Sequence, residues 1–156
     1  MISVDVILED KRWSKKIKKP SIFFSKLLKL FQKRYSFSNK RANLSILLSN
    51  NNNIKKLNKK FRKKNKPTDI LSFPFDRKFN KNTVLYLGDM IISYDFMEKP
   101  KTLLATEFKK KLIKIFIHGF LHLLNYDHIK LKDYKIMNNE EIKIYKFVNK
   151  KIEKLI

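Results

Sequence analysis

Apolar residues fall on alternate positions at the start of the chain. Ile2, Val4, Val6 and Leu8, partly interleaved with polar residues, predict a first strand. Lys11 to Lys19 reads as a basic connector. From Ser21 the period lengthens: Phe23, Leu27, Leu30 and Phe31 recur at helical spacing and predict an amphipathic helix ending near Lys33. Leu44 to Ser49 reads as a short strand, and Asn50 to Asn53 as a turn rich in helix-capping side chains. Ile54, Leu57, Asn58 and Phe61 then mark one face of a second helix. Lys63 to Pro67 must be loop, because Pro67 cannot continue a helix.

Thr68 to Phe75 predicts a strand whose Pro74 places it at a sheet edge or at a strand end. Val84 to Ser93 is the clearest strand, interrupted by Gly88 and Asp89. Thr102 to Leu124 predicts a long helix, apolar nearly all round after Leu112 and therefore buried in its second half. A last helix is predicted from Asp133 to Lys154, with Tyr134, Met137, Tyr145, Val148 and Ile152 inward. The order β-α-β-α-β-β-α-α implies an α+β fold. One domain over residues 1–156 is expected, with a small mixed four-stranded sheet packed by about four to five helices. Parallel pairing is expected where a helix joins two strands, and antiparallel pairing where a turn does.

Composition narrows the function. A chain of 156 residues with 43% hydrophobic residues, two Gly and four Pro is neither disordered nor fibrous. Cysteine is absent, which excludes a disulfide framework and thiolate metal sites. The N-terminal stretch carries Asp5, Glu9 and Asp10 early and is no signal peptide. The longest apolar stretch, Leu112 to Leu124, contains Lys114 and is too short to span a bilayer. These features predict a cytoplasmic protein with no membrane partner. The formal net charge is +23, and 32 of the 37 basic residues are Lys, spread along the whole chain. Such charge attracts polyanions, nucleic acid first. AT-rich codon usage, which also favours Asn, Ile and Phe, explains part of the same excess.

The chemistry concentrates elsewhere. All three histidines, His118, His122 and His128, fall within eleven residues. Four residues apart on a helix, His118 and His122 share one face, about 5–6 Å apart at Cβ, so two imidazoles can converge on one metal at about 2.0–2.1 Å each. Asn125 is a residue type that tolerates the left-handed conformation and can turn the chain so that His128 arrives as a third ligand. Three protein ligands leave a tetrahedral metal one open position, the mark of a catalytic site. Gly119 occupies the place where zinc proteases carry their general-base Glu, which argues against a peptidase. A glycine inside a helix costs roughly 1 kcal/mol against Ala, so close approach of another backbone or of substrate is expected there.

The run His118-Gly-Phe-Leu-His122-Leu-Leu-Asn125-Tyr126-Asp127-His128 resembles the signature of the YbeY-type metal-dependent endoribonucleases, H-G-x-L-H-L-x-G-Y-D-H, departing from its fixed positions only at Asn125. Leu57 to Phe75 is similar to that family's L-N-x-x-[YF]-R block running to its K-P-T-[DN]-V-L-S-F-P, and Leu87 to Ser93 to its L-G-D-I-x-I-S strand. The resemblance implies one zinc-type ion, other divalent metals being open, held by His118, His122 and His128. It further implies hydrolysis of RNA phosphodiester bonds, in single-stranded regions, during ribosomal RNA maturation (chiefly the 3′ end of the small-subunit RNA) and ribosome quality control. The implied partners are ribosomal RNA, the small ribosomal subunit and its assembly factors. The attacking group is open between a metal-generated hydroxide and the RNA 2′-hydroxyl. The competing class is a non-catalytic rRNA-binding assembly factor with a structural metal.

Arg62, one of five Arg, matches the family's fixed Arg and is the expected phosphate contact, since a guanidinium can hold two phosphate oxygens; the alternative is a helix-end Arg bound to carbonyl groups or to a surface carboxylate. Asp127 either accepts from a histidine ring, fixing its tautomer, or caps the turn. Tyr126 stacks, donates a proton or packs. Thr68, Asp69 and Ser72 are expected on a strand that lines the cleft, with turn-capping the alternative for Thr68 and Asp69. Asp89 is expected to order the sheet edge, and Glu141, on the apolar stripe of the last helix, to pair with a Lys or Arg.

Overall fold

The alternation of Ile2, Val4 and Val6 with Ser3 and Asp5 produces strand β1 (Ile2–Leu8), with one face inward. In β2 (Arg41–Ser49) the alternation is stronger, and Ala42, Leu44, Ile46 and Leu48 are all buried. β3 (Ile70–Pro74) and β4 (Val84–Ser93) complete a single sheet in the order β1-β2-β4-β3. β1 pairs parallel with β2, β2 parallel with β4, and β3 antiparallel with β4. The sheet is thus mixed, and Pro74 ends an edge strand, where a missing N–H is tolerated. This computed structural model describes every residue except 33, 36, 38, 39, 77, 79–82, 153, 154 and 156, and leaves the side chain of Gln32 undescribed.

Six helices occur among the described residues: α1 (Trp13–Lys16), α2 (Pro20–Gln32), α3 (Asn51–Arg62), α4 (Tyr94–Met97), α5 (Ala105–Leu123) and α6 (Leu131–Asn149). The expected end of α2 at Lys33 lies outside the described residues, whereas α6 stops at Asn149, short of the expected Lys154, with Lys150 and Lys151 in a turn. α1 sits in what the sequence presents as a connector. Its single turn is anchored by Trp13, fully buried, whose Nε1 donates to the Ser49 carbonyl at 2.9 Å. One turn built on one aromatic has no period to detect. α4 escapes notice for the same reason. Tyr134, expected inward, is 51% exposed, while Met137, Ile144, Val148 and Ile152 form the buried stripe. Phe61, expected on the inner face of α3, is 54% exposed, and Ile54 and Asn58 are the buried residues of that helix.

The sheet divides the core. Leu44, Ile46, Leu48, Met90 and Ile92 pack into one large cluster with residues of α2, α5 and α6. On the opposite face Ile54 of α3 meets Leu71 and Ile91, with Leu47, Leu57 and Phe73 around them. β4 takes three steps from Tyr86 to Asp89 where β2 takes two from Asn43 to Ser45, so a bulge lies there. Gly88 permits it with φ +132°, and a Cβ would collide with the Phe73 carbonyl. Asp89 beside it is exposed and accepts the Tyr86 hydroxyl at 2.7 Å. No helix among the described residues is long and apolar enough to cross a membrane.

Candidate metal centre and cleft

Helix α5 is buried along Phe116, Ile117, Phe120 and Leu121, which leaves His118 and His122 on its remaining face. Gly119 is the point of closest approach to the sheet. A Cβ there would stand 2.7 Å from Met90 Sδ and 3.0 Å from Ser72 Oγ, and would also press on Ile70. The glycine therefore makes room for β3 and β4 side chains, not for substrate, and in doing so sets His118 beside β3.

The helix ends in a Schellman turn. Asn125 has φ 65°, its N–H donates to the His122 carbonyl at 2.9 Å, and the Tyr126 N–H donates to the Leu121 carbonyl at 3.0 Å. The left-handed residue reverses the chain and brings His128 back to the two helical histidines. Asp127 Oδ1 accepts the backbone N–H of His128 at 2.7 Å, so its carboxylate braces the turn. Asn125→Gly is expected to leave stability nearly unchanged. Asn125→Val should cost about 1 kcal/mol or more, because a branched side chain resists this conformation, and should weaken metal binding. Thermal melts and metal titration of both variants check this, and equal behaviour of the two would refute it.

The three imidazoles place ligand nitrogens within 4.8 Å of one another. Ring centroids lie 4.7 Å apart for His118 and His122, 4.9 Å for His122 and His128, and 5.4 Å for His118 and His128. His122 Nδ1 faces the Tyr126 carbonyl at 2.9 Å. That oxygen can only accept, so Nδ1 carries the hydrogen and Nε2 the lone pair. His118 Nδ1 stands 2.7 Å from Glu141 Oε1 on α6 and donates to it. With both rings neutral, the form a metal ligand takes, the two Nε2 lone pairs meet at 3.1 Å, an arrangement a cation relieves. Tetrahedral coordination at 2.0–2.1 Å requires adjacent nitrogens about 3.3 Å apart, and the 3.1 Å between the Nε2 atoms of His118 and His122 is close to that, so this pair fits a zinc-type ion. Burial, with the neighbouring His118 adding to it, pushes the His122 pKa down and favours the neutral ring that binds metal. Among the described residues no carboxylate joins the three histidines as a fourth ligand.

The histidines open onto a cleft of about 970 Å³. Arg62, Thr68, Asp69, Ser72, Tyr126 and Asp127 all line it, together with Lys64 and Lys66. Arg62 ends α3 and its Nη2 donates to the Ser72 carbonyl at 3.0 Å. The loop after it is pinned by buried Asn58, whose backbone carbonyl accepts from Lys64 N at 3.2 Å and whose Nδ2 donates to the Lys66 carbonyl at 2.8 Å. Asp69 Oδ1 accepts from Thr68 Oγ1 and from the Ile70 N–H, so this pair organises the entry to β3.

The endoribonuclease YbeY family model matches residues 7–149. The chain belongs to the endoribonuclease YbeY family. The endoribonuclease YbeY of Pelagibacter ubique (strain HTCC1062) is 62% identical over 152 residues, covering 97% of this chain and 99% of that relative. The endoribonuclease YbeY of Ehrlichia canis (strain Jake) is 36% identical over 144 residues, covering 92% and 90%. The solution structure of a Thermotoga maritima protein matches with a TM-score of 0.60 at 26% identity, covering 99% of this chain and 93% of that one. Two of the three YbeY blocks read in the sequence meet in space, since the Arg62 loop and β3 of one and the histidine turn of the other face one cleft, while Leu87 to Ser93 lies in β4 behind them.

Two contributors escape sequence reasoning. Glu141 was expected to pair with Lys or Arg, and its partner is His118. Asn58 reads as one polar residue on a helix face, yet it holds the loop that carries Lys64 and Lys66. The only signal for either is a polar residue recurring on an otherwise apolar helical stripe.

Proposed function

We propose that this YbeY-family chain is a metal-dependent endoribonuclease that uses a zinc-type ion on His118, His122 and His128 to hydrolyse phosphodiester bonds in single-stranded RNA. The observation that carries it is the pair of Nε2 lone pairs, oriented from behind by Glu141 and the Tyr126 carbonyl and directed together at one cleft. A bound divalent ion supplies Lewis acidity and an acidified water there. The protein's own groups do the rest. Glu141 and the Tyr126 carbonyl fix ring tautomer and direction. Arg62 binds a phosphate through its planar fork and stabilises charge that develops on it. Lys64 and Lys66 at the cleft draw in the RNA backbone. Ribosomal RNA is the proposed substrate, in the cytoplasm, with the small ribosomal subunit and its assembly factors as partners.

Chelation should abolish cleavage while leaving most low-salt RNA binding intact, because the +23 charge binds RNA without the metal. Readdition of zinc or another divalent ion should restore cleavage. Binding and cleavage measured in parallel, with and without chelator at two salt concentrations, separate the two contributions. Cleavage that persists after verified metal removal contradicts the metal-dependent mechanism. Absence of cleavage on every RNA tried at full metal occupancy favours a non-catalytic assembly factor instead.

A further inference from the structure

Next to the cleft lies a row of aromatic rings in which Phe61 and Phe75 stand exposed. Phe61, in the last turn of α3, is 54% exposed, and its ring lies 5.2 Å from Phe73 at 64°. Phe75, two residues beyond Phe73 and therefore on the same face of the strand run, is 38% exposed and lies 5.5 Å from Tyr86. Cations are interleaved with these rings. Lys60 Nζ sits 5.2 Å from the Phe61 centroid, and Arg62 Cζ 5.9 Å from that of Phe73. Between Asn51 and Lys66 the chain carries eight Lys or Arg and no Asp or Glu. Arg62 joins the two regions, with its Nη2 on the Ser72 carbonyl at the cleft and its guanidinium beside Phe73. The opposite end of the row carries an acid, Asp89, bonded to Tyr86.

We propose that Phe61 and Phe75 are a stacking platform for unpaired bases of the RNA strand entering the cleft, while the α3 lysines hold its phosphates. An exposed phenylalanine beside Lys59, Lys60 and Arg62, on a helix whose buried residues are Ile54 and Asn58, gains little from the core. Beside cations it offers the π-face and the charge that single-stranded nucleic acid recognition combines. Every base has such a face, so the platform is indifferent to sequence. A paired, stacked base cannot use it, so the platform selects single strands. The inference rests on the endoribonuclease reading, and its test does not depend on cleavage.

The test uses metal-free protein and two labelled RNAs of equal length, about 12 nucleotides, one carrying bases and one abasic. Phe61→Leu should weaken binding of the base-bearing strand roughly tenfold and leave the abasic strand unchanged. Phe61→Trp should keep tight binding and add a direct reporter. Trp13 is the sole natural tryptophan and is fully buried, so a new quenchable signal comes from position 61. That signal should be quenched by the base-bearing strand only. An unchanged affinity in Phe61→Leu, an equal loss on both strands, or an unquenched tryptophan overturns the platform and leaves these rings to a protein partner. Any of these with cleavage intact overturns this inference alone. Loss of cleavage in wild type at full metal occupancy is the separate failure of the enzymatic reading.

Discussion

Replacing His118 with alanine is expected to strip the protein of bound metal and abolish RNA cleavage. His118 supplies one of the two nitrogens already 3.1 Å apart. Without it, His122 and His128 are left as a two-ligand site. The affinity loss should exceed the 10–100-fold typical of removing a partner behind a ligand. That smaller loss is the expectation for Glu141→Ala, which leaves the ring in place but frees its Nδ1. Glu141→Gln, whose amide oxygen still accepts a hydrogen bond, should fall between Glu141→Ala and wild type. Metal analysis of purified variants and competition titration give the order. Stoichiometric metal in His118→Ala, His122→Ala and His128→Ala alike would exclude the site, and wild-type affinity in Glu141→Ala would remove its orienting role.

Arg62→Ala should lower cleavage by about 10²–10³, the effect of deleting one preorganised donor at a developing negative charge, with metal content unchanged. The side chain is exposed and makes one hydrogen bond to the β3 backbone, so the melting temperature should scarcely move. Arg62→Lys should restore only part of the rate, because an ammonium lacks the bidentate fork. Equal cleavage by wild type and Arg62→Ala would refute the assignment. A large fall in melting temperature would show instead that the bond to Ser72 is its main task.

The histidine turn was legible in the sequence because its geometry is local. A spacing of four fixes two rings on one helix face, and one residue tolerant of positive φ fixes the reversal. Asn125 at φ 65° is therefore a sequence-level result. Pro74 was legible for the same reason, since a residue with no N–H has few places in a sheet. The four strands followed from period and turn chemistry, although β2 starts at Arg41, before its apolar run, because Asn43 belongs to the partly exposed face.

What depends on distant residues was not legible. A helix joins β2 to β3, yet β2 pairs with β4 and β3 lies outside at the edge. Local pattern cannot choose between neighbours that bury the same apolar face. Charge dispersed along the chain gains a direction only once the loop after α3 brings Lys64 and Lys66 to the cleft. Glu141 lies 23 residues from His118 in sequence and 2.7 Å from its ring nitrogen in space. A carboxylate on an apolar stripe demands a partner, but its identity is set by how α6 packs on α5. The sequence by itself determined the candidate histidine set, the turn that gathers it and the helix that carries it, because each depends on backbone preferences over a few residues. The tertiary structure alone decided the order of the strands, the groups that hydrogen-bond the imidazoles and the aromatic row beside them, because those depend on which buried surfaces meet.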